Sequence, residues 1–460
     1  MPTNETSILN KLLIAIKLTF GQHFVYKGLL HGFFHKPTFT QIYPTYPGKM
    51  IQSTSPSLIQ LQSYLISKKD VMNRRSVLKN LSSIAAVSTL PPFLKASEAA
   101  PNAQPSGQAL RKIATEEAFT IPEIAEAIRT VVRQGGPNLD LLLLKQLYEP
   151  SSAIPAQTPS ESNQVSNRDR AAKDMLPRLL DLDKVRLENM DTNGVDMHVL
   201  SLVMPGVQLF ERTQAIELAR LANDRLSEVV RRYPSRFAGL ASFAPQDPTA
   251  AAKEMERSIK ALKLNGFIVN SHTANVYLDD PRFSPILEAA EALDMPLYIH
   301  PRAPSDGMAG PFRDYRLEGA VWGYGIEAGT HILRLIFGGI FDRFPKLQVV
   351  IGHMGEALPF WLGRLDFMGA PGARAGRKNQ LKPSEYFQRN ITITTSGVED
   401  PLALRYCIDK IGADRIMWAI DYPFQPTTPA ANFIESAPIS ETDRAKIAYG
   451  NAERIFRIKI

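Results

Sequence analysis

Cysteine is almost missing from this chain: Cys407 is the only one in 460 residues. An internal disulfide is therefore excluded. Cys407 sits in "LALRYCIDKIG", a helical pattern, where it reads as core filler rather than nucleophile. No glycine-rich phosphate loop is present, so no organic cofactor is implied. The most signal-like apolar stretch, which follows Arg75, is too short and too polar to make a stable membrane span. Acid is scarce at one end only. Residues 1–110 hold 11 Lys and Arg against 3 Asp and Glu, and the rest of the chain holds 42 against 43. The formal charge of +7 thus belongs to the N-terminal segment. The remainder is near neutral, and nothing points to nucleic acid.

That segment divides in two. Residues 72–103 read "MNRRSVLKNLSSIAAVSTLPPFLKASEAAPNA". Arg74 and Arg75 precede Ser76, Val77, Leu78 and Lys79, a mildly apolar stretch follows, and small residues surround Ser97 and Ala99. This resembles a twin-arginine export signal, 72–99, with cleavage near Ala99. Residues 1–71 are low in acid and carry no repeated pattern, so they are expected to be a leader without stable structure. The simplest account starts translation at Met72 and sends the product to the periplasm or outside. A genuine extension would bury the signal internally and keep the protein in the cytoplasm. Residues 100–110, "APNAQPSGQAL", are a linker.

Residues 111–460 carry eight short, apolar, largely β-branched runs. They are Lys112–Glu116, Met197–Leu202, Phe237–Phe243, Gly266–Val269, Pro296–Ile299, Leu347–Ile351, Ile391–Thr395 and Arg415–Ile420. Helical patterns such as "RTQAIELARLANDRLSEVVRRY" lie between most of them. Alternating strands and helices predict an α/β fold, one (β/α)₈ barrel over 111–460. A polar, Pro- and Ser-rich insertion, Glu149–Asn167, interrupts the first unit and reads as a mobile loop.

The predicted strand ends carry the chemistry. Glu116 closes the first strand, His300 follows the fifth, and Asp421 follows the eighth. "LQVVIGHMGEALPFWLGRLD" places His353 and Glu356 just past the sixth. Active sites of such barrels lie at the strand C-termini, and imidazole with carboxylate suits a divalent cation, Zn²⁺ or Mn²⁺. Other residues read more plainly. Glu117 is expected at the surface or behind the ligands. His198 is expected to be a satisfied core histidine, and His331 a structural one within a helix. His272 reads as structural before pocket-lining. Asn270 is either a pocket hydrogen-bonder or a turn residue. Trp322 lies in a loop able to cap an aromatic substrate.

Several segments together, among them "KIATEEAFTIPE", "LYIHPR", "WGYGIEAGTHILRLIFGGIFDRFPKLQVVIGHMGEALPFWLGRLD", "ITITTSGV" and "RIMWAIDYPF", resemble the amidohydrolase-related superfamily. The likeness is to its metal-dependent hydroxybenzoate and aminocarboxymuconate-semialdehyde decarboxylases. It implies Glu116, His300 and Asp421 as metal ligands, Asp421 also as proton donor, and His353 with Glu356 as the active-site pair. It implies Arg364 near the substrate or a subunit interface, a small-molecule carboxylate substrate, and a homo-oligomer, dimer or tetramer. Many relatives carry His two residues after the first Glu; Ala118 stands there instead, which shifts the ligand set toward oxygen. The implied activity is a non-oxidative decarboxylase (carboxy-lyase). The alternative on the same residues is a hydrolase of an ester, lactone or amide.

Overall fold

The computed structural model describes residues 109–136, 138–149 and 174–459. The leader 1–71, the signal 72–99, residues 100–108 of the linker and the Pro/Ser-rich insertion beyond Glu149 lie outside the described residues.

Nine strands carry the eight expected positions: β1 Ile113–Phe119, β2 Met197–Leu202, β3 Phe237–Gly239, β4 Ala241–Ser242, β5 Phe267–Asn270, β6 Leu297–His300, β7 Val349–Ile351, β8 Ile391–Thr394 and β9 Ile416–Met417. All pairings are parallel, β1 to β3 in one ladder and β4 to β9 in another. The expected third strand is split at Leu240, whose N–H turns to Leu200 O (2.8 Å) while Ala241 N–H turns to Gly266 O (2.8 Å), joining the two ladders. The seam between β9 and β1 closes without a ladder. Ala118 N–H donates to Tyr422 O (2.7 Å), and the Thr115 hydroxyl donates to Trp418 O (2.9 Å).

Alternation along each strand divides the core into two layers. Val199, Ile268, Tyr298, Val350 and Met417 meet on the axis, with Ala452, Ile455 and Phe456 from the chain end packed beneath. Leu200, Phe267, Ile299, Ile351 and Ile393 face outward onto helices such as Gly323–Phe337. The next inward position above Ile268, Tyr298 and Val350 is Asn270, His300 and Gly352. Strand parity therefore aims those three at the mouth before any loop is considered.

Two boundaries differ from expectation. β1 runs on to Phe119, so Glu116 lies inside the strand, at a bulge where the register to β2 slips between Ala114 and Glu117. A bulge adds one residue and re-aims side chains, so two consecutive acids are both buried. β9 ends at Met417, well before the expected Ile420, because side chains there replace the ladder.

His331 is buried in the helix Gly323–Phe337. Its Nε2 accepts Leu278 N–H (3.1 Å), and its Nδ1 meets the Ser271 hydroxyl (3.1 Å). Burial pushes its pKa down to about 3. The folded ring stays neutral while an unfolded one protonates near 6.5, so stability is full above pH 6.5 and is lost as pH falls toward 3. At pH 5 the loss is about 2 kcal/mol. His331→Asn should start less stable at pH 7 yet lose stability between pH 7 and 5 with a slope one proton shallower in urea melts. Equal slopes would refute this.

Candidate metal and active site

Four side chains, Glu116 from within β1 and three from beyond strand ends or at them, meet above the axial layer. Ligand atoms of Glu116, His353 and Asp421 lie within 4.8 Å of one another. His300 Nε2 is 3.6 Å from Glu116 Oε1, His353 Nε2 is 3.8 Å from the same oxygen, and His353 Nε2 is 3.9 Å from Asp421 Oδ2. The structure thus groups His353, rather than the expected His300, with Glu116 and Asp421 in one cluster of donor atoms, and His300 stands beside it against Glu116 Oε1.

Each donor is held by its surroundings. Glu116 Oε2 accepts from the hydroxyls of Thr394 (2.8 Å) and Ser396, while its buried Oε1 has no hydrogen-bond partner. His300 Nδ1 donates to Pro301 O (2.8 Å), which turns Nε2 toward Glu116. His353 Nδ1 is paired with Glu356 Oε1 at 2.8 Å, which orients Nε2 the same way. Gly352 carries no side chain where one would collide: a Cβ there would fall 2.6 Å from Glu116 Oε1.

The backbone is strained in the two places that deliver chemistry. His353 to Ala357 all have positive φ, between 50° and 71°, forming one left-handed turn. Such a conformation costs roughly 1–2 kcal/mol per non-glycine residue. Asp421 has φ 74°. Residues held this way mark sites where surrounding structure over-determines a position.

Charges set the protonation states. Burial works to raise Glu116, but the charges of His353 and His300 and the Ser396 hydroxyl outweigh it and hold the carboxylate below its ordinary range. Burial works to lower His353, but Glu356 and Glu116 hold it well above 6.5. Burial raises Asp421 and the Glu116 charge adds to this, while His353 pulls the other way.

An orphaned buried carboxylate oxygen, a second carboxylate and the neighbouring imidazoles bring nitrogen and oxygen donors together in a set that fits a divalent cation. Beside it lies a small pocket walled by Ala118, Leu202, Val203, Met204 and Phe424, with Ser201 as a polar group. A larger cleft of about 800 Å³ lies elsewhere, near the N-terminal ends of β6 and β7, lined by residues such as Lys346 and Arg457.

Other expected residues fall as follows. Asn270 is buried at the end of β5, beside His300 in the ladder, and its Oδ1 has no partner. Trp322 is 55% exposed, and Arg364 lies exposed on the helix Leu358–Met368; neither is among the residues that line this pocket. Glu117 is fully buried, which corrects the surface alternative: its carboxylate accepts two backbone N–H groups. His198 is buried, but neither ring nitrogen has a hydrogen bond, so it is not the satisfied histidine expected. His272 is structural, its Nε2 held on Ala303 O (3.1 Å) and its Nδ1 accepting Asn275 N–H (3.2 Å), although it also borders a neighbouring cleft. Cys407 is buried, as core filler should be. Sequence reasoning missed Thr394, Ser396 and Gly352. The hydroxyl residues Thr392, Thr394, Thr395 and Ser396 following on Ile391 and Ile393 were the available signal for the first two.

Residues 170–458 match the family model described as amidohydrolase. Gamma-resorcylate decarboxylase of Polaromonas sp. is 39% identical over 303 residues, covering 63% of this chain and 92% of that protein. The crystal structure of 5-carboxyvanillate decarboxylase from Sphingomonas paucimobilis is 50% identical, with a TM-score of 0.70, over 76% of this chain and all of that one. That of dihydroxybenzoic acid decarboxylase from Polaromonas sp., with bound manganese and the inhibitor 2-nitroresorcinol, is 35% identical, with a TM-score of 0.65, over 76% of this chain and 97% of that one.

Proposed function

The chain belongs to the amidohydrolase family, and from that premise we propose that it is a metal-dependent, non-oxidative decarboxylase of a small hydroxylated aromatic carboxylate. The observation that carries this reading is the meeting of Glu116, His300, His353 and Asp421 beside a small pocket walled largely by apolar side chains. Decarboxylases of hydroxylated benzoates are its relatives at 35–50% identity.

Glu116, His300 and Asp421 would hold the ion, with Mn²⁺ favoured by the manganese named with a relative's structure. When bound, the cation supplies charge that gathers the substrate carboxylate and a neighbouring hydroxyl. Asp421 gives its proton to the ring carbon bearing the carboxylate. The bond to that carboxylate then breaks, its electron pair restores aromaticity, and CO₂ leaves. His353, tethered by Glu356, stands 3.9 Å from Asp421 and returns a proton to it from solvent. Asn270 offers its unpartnered Oδ1 to a substrate hydroxyl.

The test is a panel of benzoates with and without an ortho hydroxyl, offered to manganese-loaded protein. Release of CO₂ from the hydroxylated members, with no water incorporated, is expected. An acid formed by addition of water would indicate the hydrolase instead, and no product across the panel would sink the reading.

Phe360, Trp361, Arg364, Phe367 and Met368 project from one side of the helix Leu358–Met368, and each is exposed. An apolar face of this kind supports a homo-oligomer, with Arg364 at the contact. Trp361→Asp should reduce the mass seen in light scattering; an unchanged mass would exclude this face. Export by the twin-arginine route belongs to the same proposal, supported by the "RRSVLK" motif. Expression from Met72 should deliver protein to the periplasm, and Arg74→Lys with Arg75→Lys should abolish delivery. Unchanged fractionation of the double variant would remove the export reading.

A further inference from the structure

Two glutamates stand side by side in β1, and only Glu116 faces the cation site. We propose that Glu117 is the positioning residue for Asp421, acting through the backbone on either side of it. This rests on the reading of Asp421 as a metal ligand. Glu117 Oε1 accepts Ile420 N–H (3.0 Å), and Oε2 accepts Tyr422 N–H (2.9 Å). These two amides flank Asp421. β9 has ended at Met417, so no strand supplies them with acceptors, and each would otherwise be a buried orphan. Ala118 N–H closes the bracket on Tyr422 O (2.7 Å). Three hydrogen bonds from two adjacent β1 residues thus fix the peptides around a residue held at φ 74°, a region that non-glycine residues rarely occupy.

The bracket has its own support. Arg186 is fully buried, donates to Ala118 O (2.7 Å), and lies 4.7 Å above the Tyr422 ring. Burying an acid and a guanidinium is a costly arrangement for a barrel that apolar packing could close. Its geometry is specific in return, because a carboxylate can meet two divergent N–H groups at once. Consecutive acids of β1 thus serve different partners, Glu116 facing the cation site and Glu117 the backbone on either side of Asp421.

The experiment is a double-mutant cycle read by Mn²⁺ titration of the full chain, with Glu117→Gln and Asp421→Ala. The Gln amide keeps one acceptor and sets a donor against the other N–H. Glu117→Gln alone should raise the Mn²⁺ Kd by about 10- to 100-fold and lower kcat with little change in KM. In the Asp421→Ala background it should change the Kd less than about 2-fold, because the effect passes through Asp421. Equal weakening in both backgrounds would overturn the proposal, as would a lower melting temperature with wild-type Kd and kcat. If Glu117→Gln does not fold, Arg186→Lys takes its place in the same cycle and under the same criteria. Metal titration needs no substrate, so a protein that released no CO₂ would still decide the role of Glu117.

Discussion

Asp421→Asn should lower turnover by a factor on the order of 10² or more, the usual worth of a positioned acid, while the protein stays folded and retains its metal. The substitution keeps the size of the side chain and one coordinating oxygen, but the amide has no proton to give. In the proposed mechanism Asp421 is the proton donor. It shares the cluster with Glu116 and His353, borders the pocket, and is held above the ordinary carboxylate range by burial and by the Glu116 charge. His300→Ala should fail differently. It removes a nitrogen donor whose tautomer Pro301 fixes, so metal occupancy falls first and turnover follows it. Turnover and manganese content measured on the same samples separate the two cases. Near-normal turnover of Asp421→Asn with full metal would exclude Asp421 as the donor and turn attention to His353.

Much of this arrangement could be read from residues alone, because it depends on local pattern. Apolar runs ending in His300, His353 and Asp421 announced a barrel with its chemistry at the strand tips, and parity then aims His300 and Asn270 inward together with Tyr298 and Ile268. What escaped depends on contacts between distant segments. Nothing near Glu117 says that its carboxylate will meet amides some 300 positions later, so it read as a surface or background acid. The pairing of His353 with Glu356 follows from a spacing of three, yet the left-handed turn that makes it does not. Of its five residues only Gly355 is a glycine, so composition gives little warning of the strain. His198 looked satisfied only because buried polar groups usually are. Trp322 looked like a substrate cap from its loop position, but more than half of it faces solvent.

Gly352→Ala should be as damaging to metal binding as loss of a ligand, although it adds one methyl group and removes nothing. Glycine is not needed here for its backbone freedom: φ is −73°, which any residue adopts. The constraint is space, since the new Cβ would fall 2.6 Å from Oε1 and 2.8 Å from Oε2 of Glu116. A free glutamate could swing aside, but this one is 3% exposed and is pinned through Oε2 by Thr394 and Ser396. Hydrogen bonds to a charged group are worth about 1.5–3 kcal/mol each, so retreat forfeits them, and overpacking typically costs about another 1–3 kcal/mol. Either way Glu116 leaves the position where its unpartnered Oε1 faces both imidazoles. The Mn²⁺ Kd should rise by about 10- to 100-fold, the range seen when a ligand's support is lost. Gly363→Ala is the control. It lies in the helix Leu358–Met368 with nothing within 4 Å of its would-be Cβ. Alanine there should leave metal affinity unchanged and add up to about 1 kcal/mol of helix stability. Wild-type manganese affinity in Gly352→Ala would mean that Glu116 has room to move without consequence, and its place among the ligands would fall with that result.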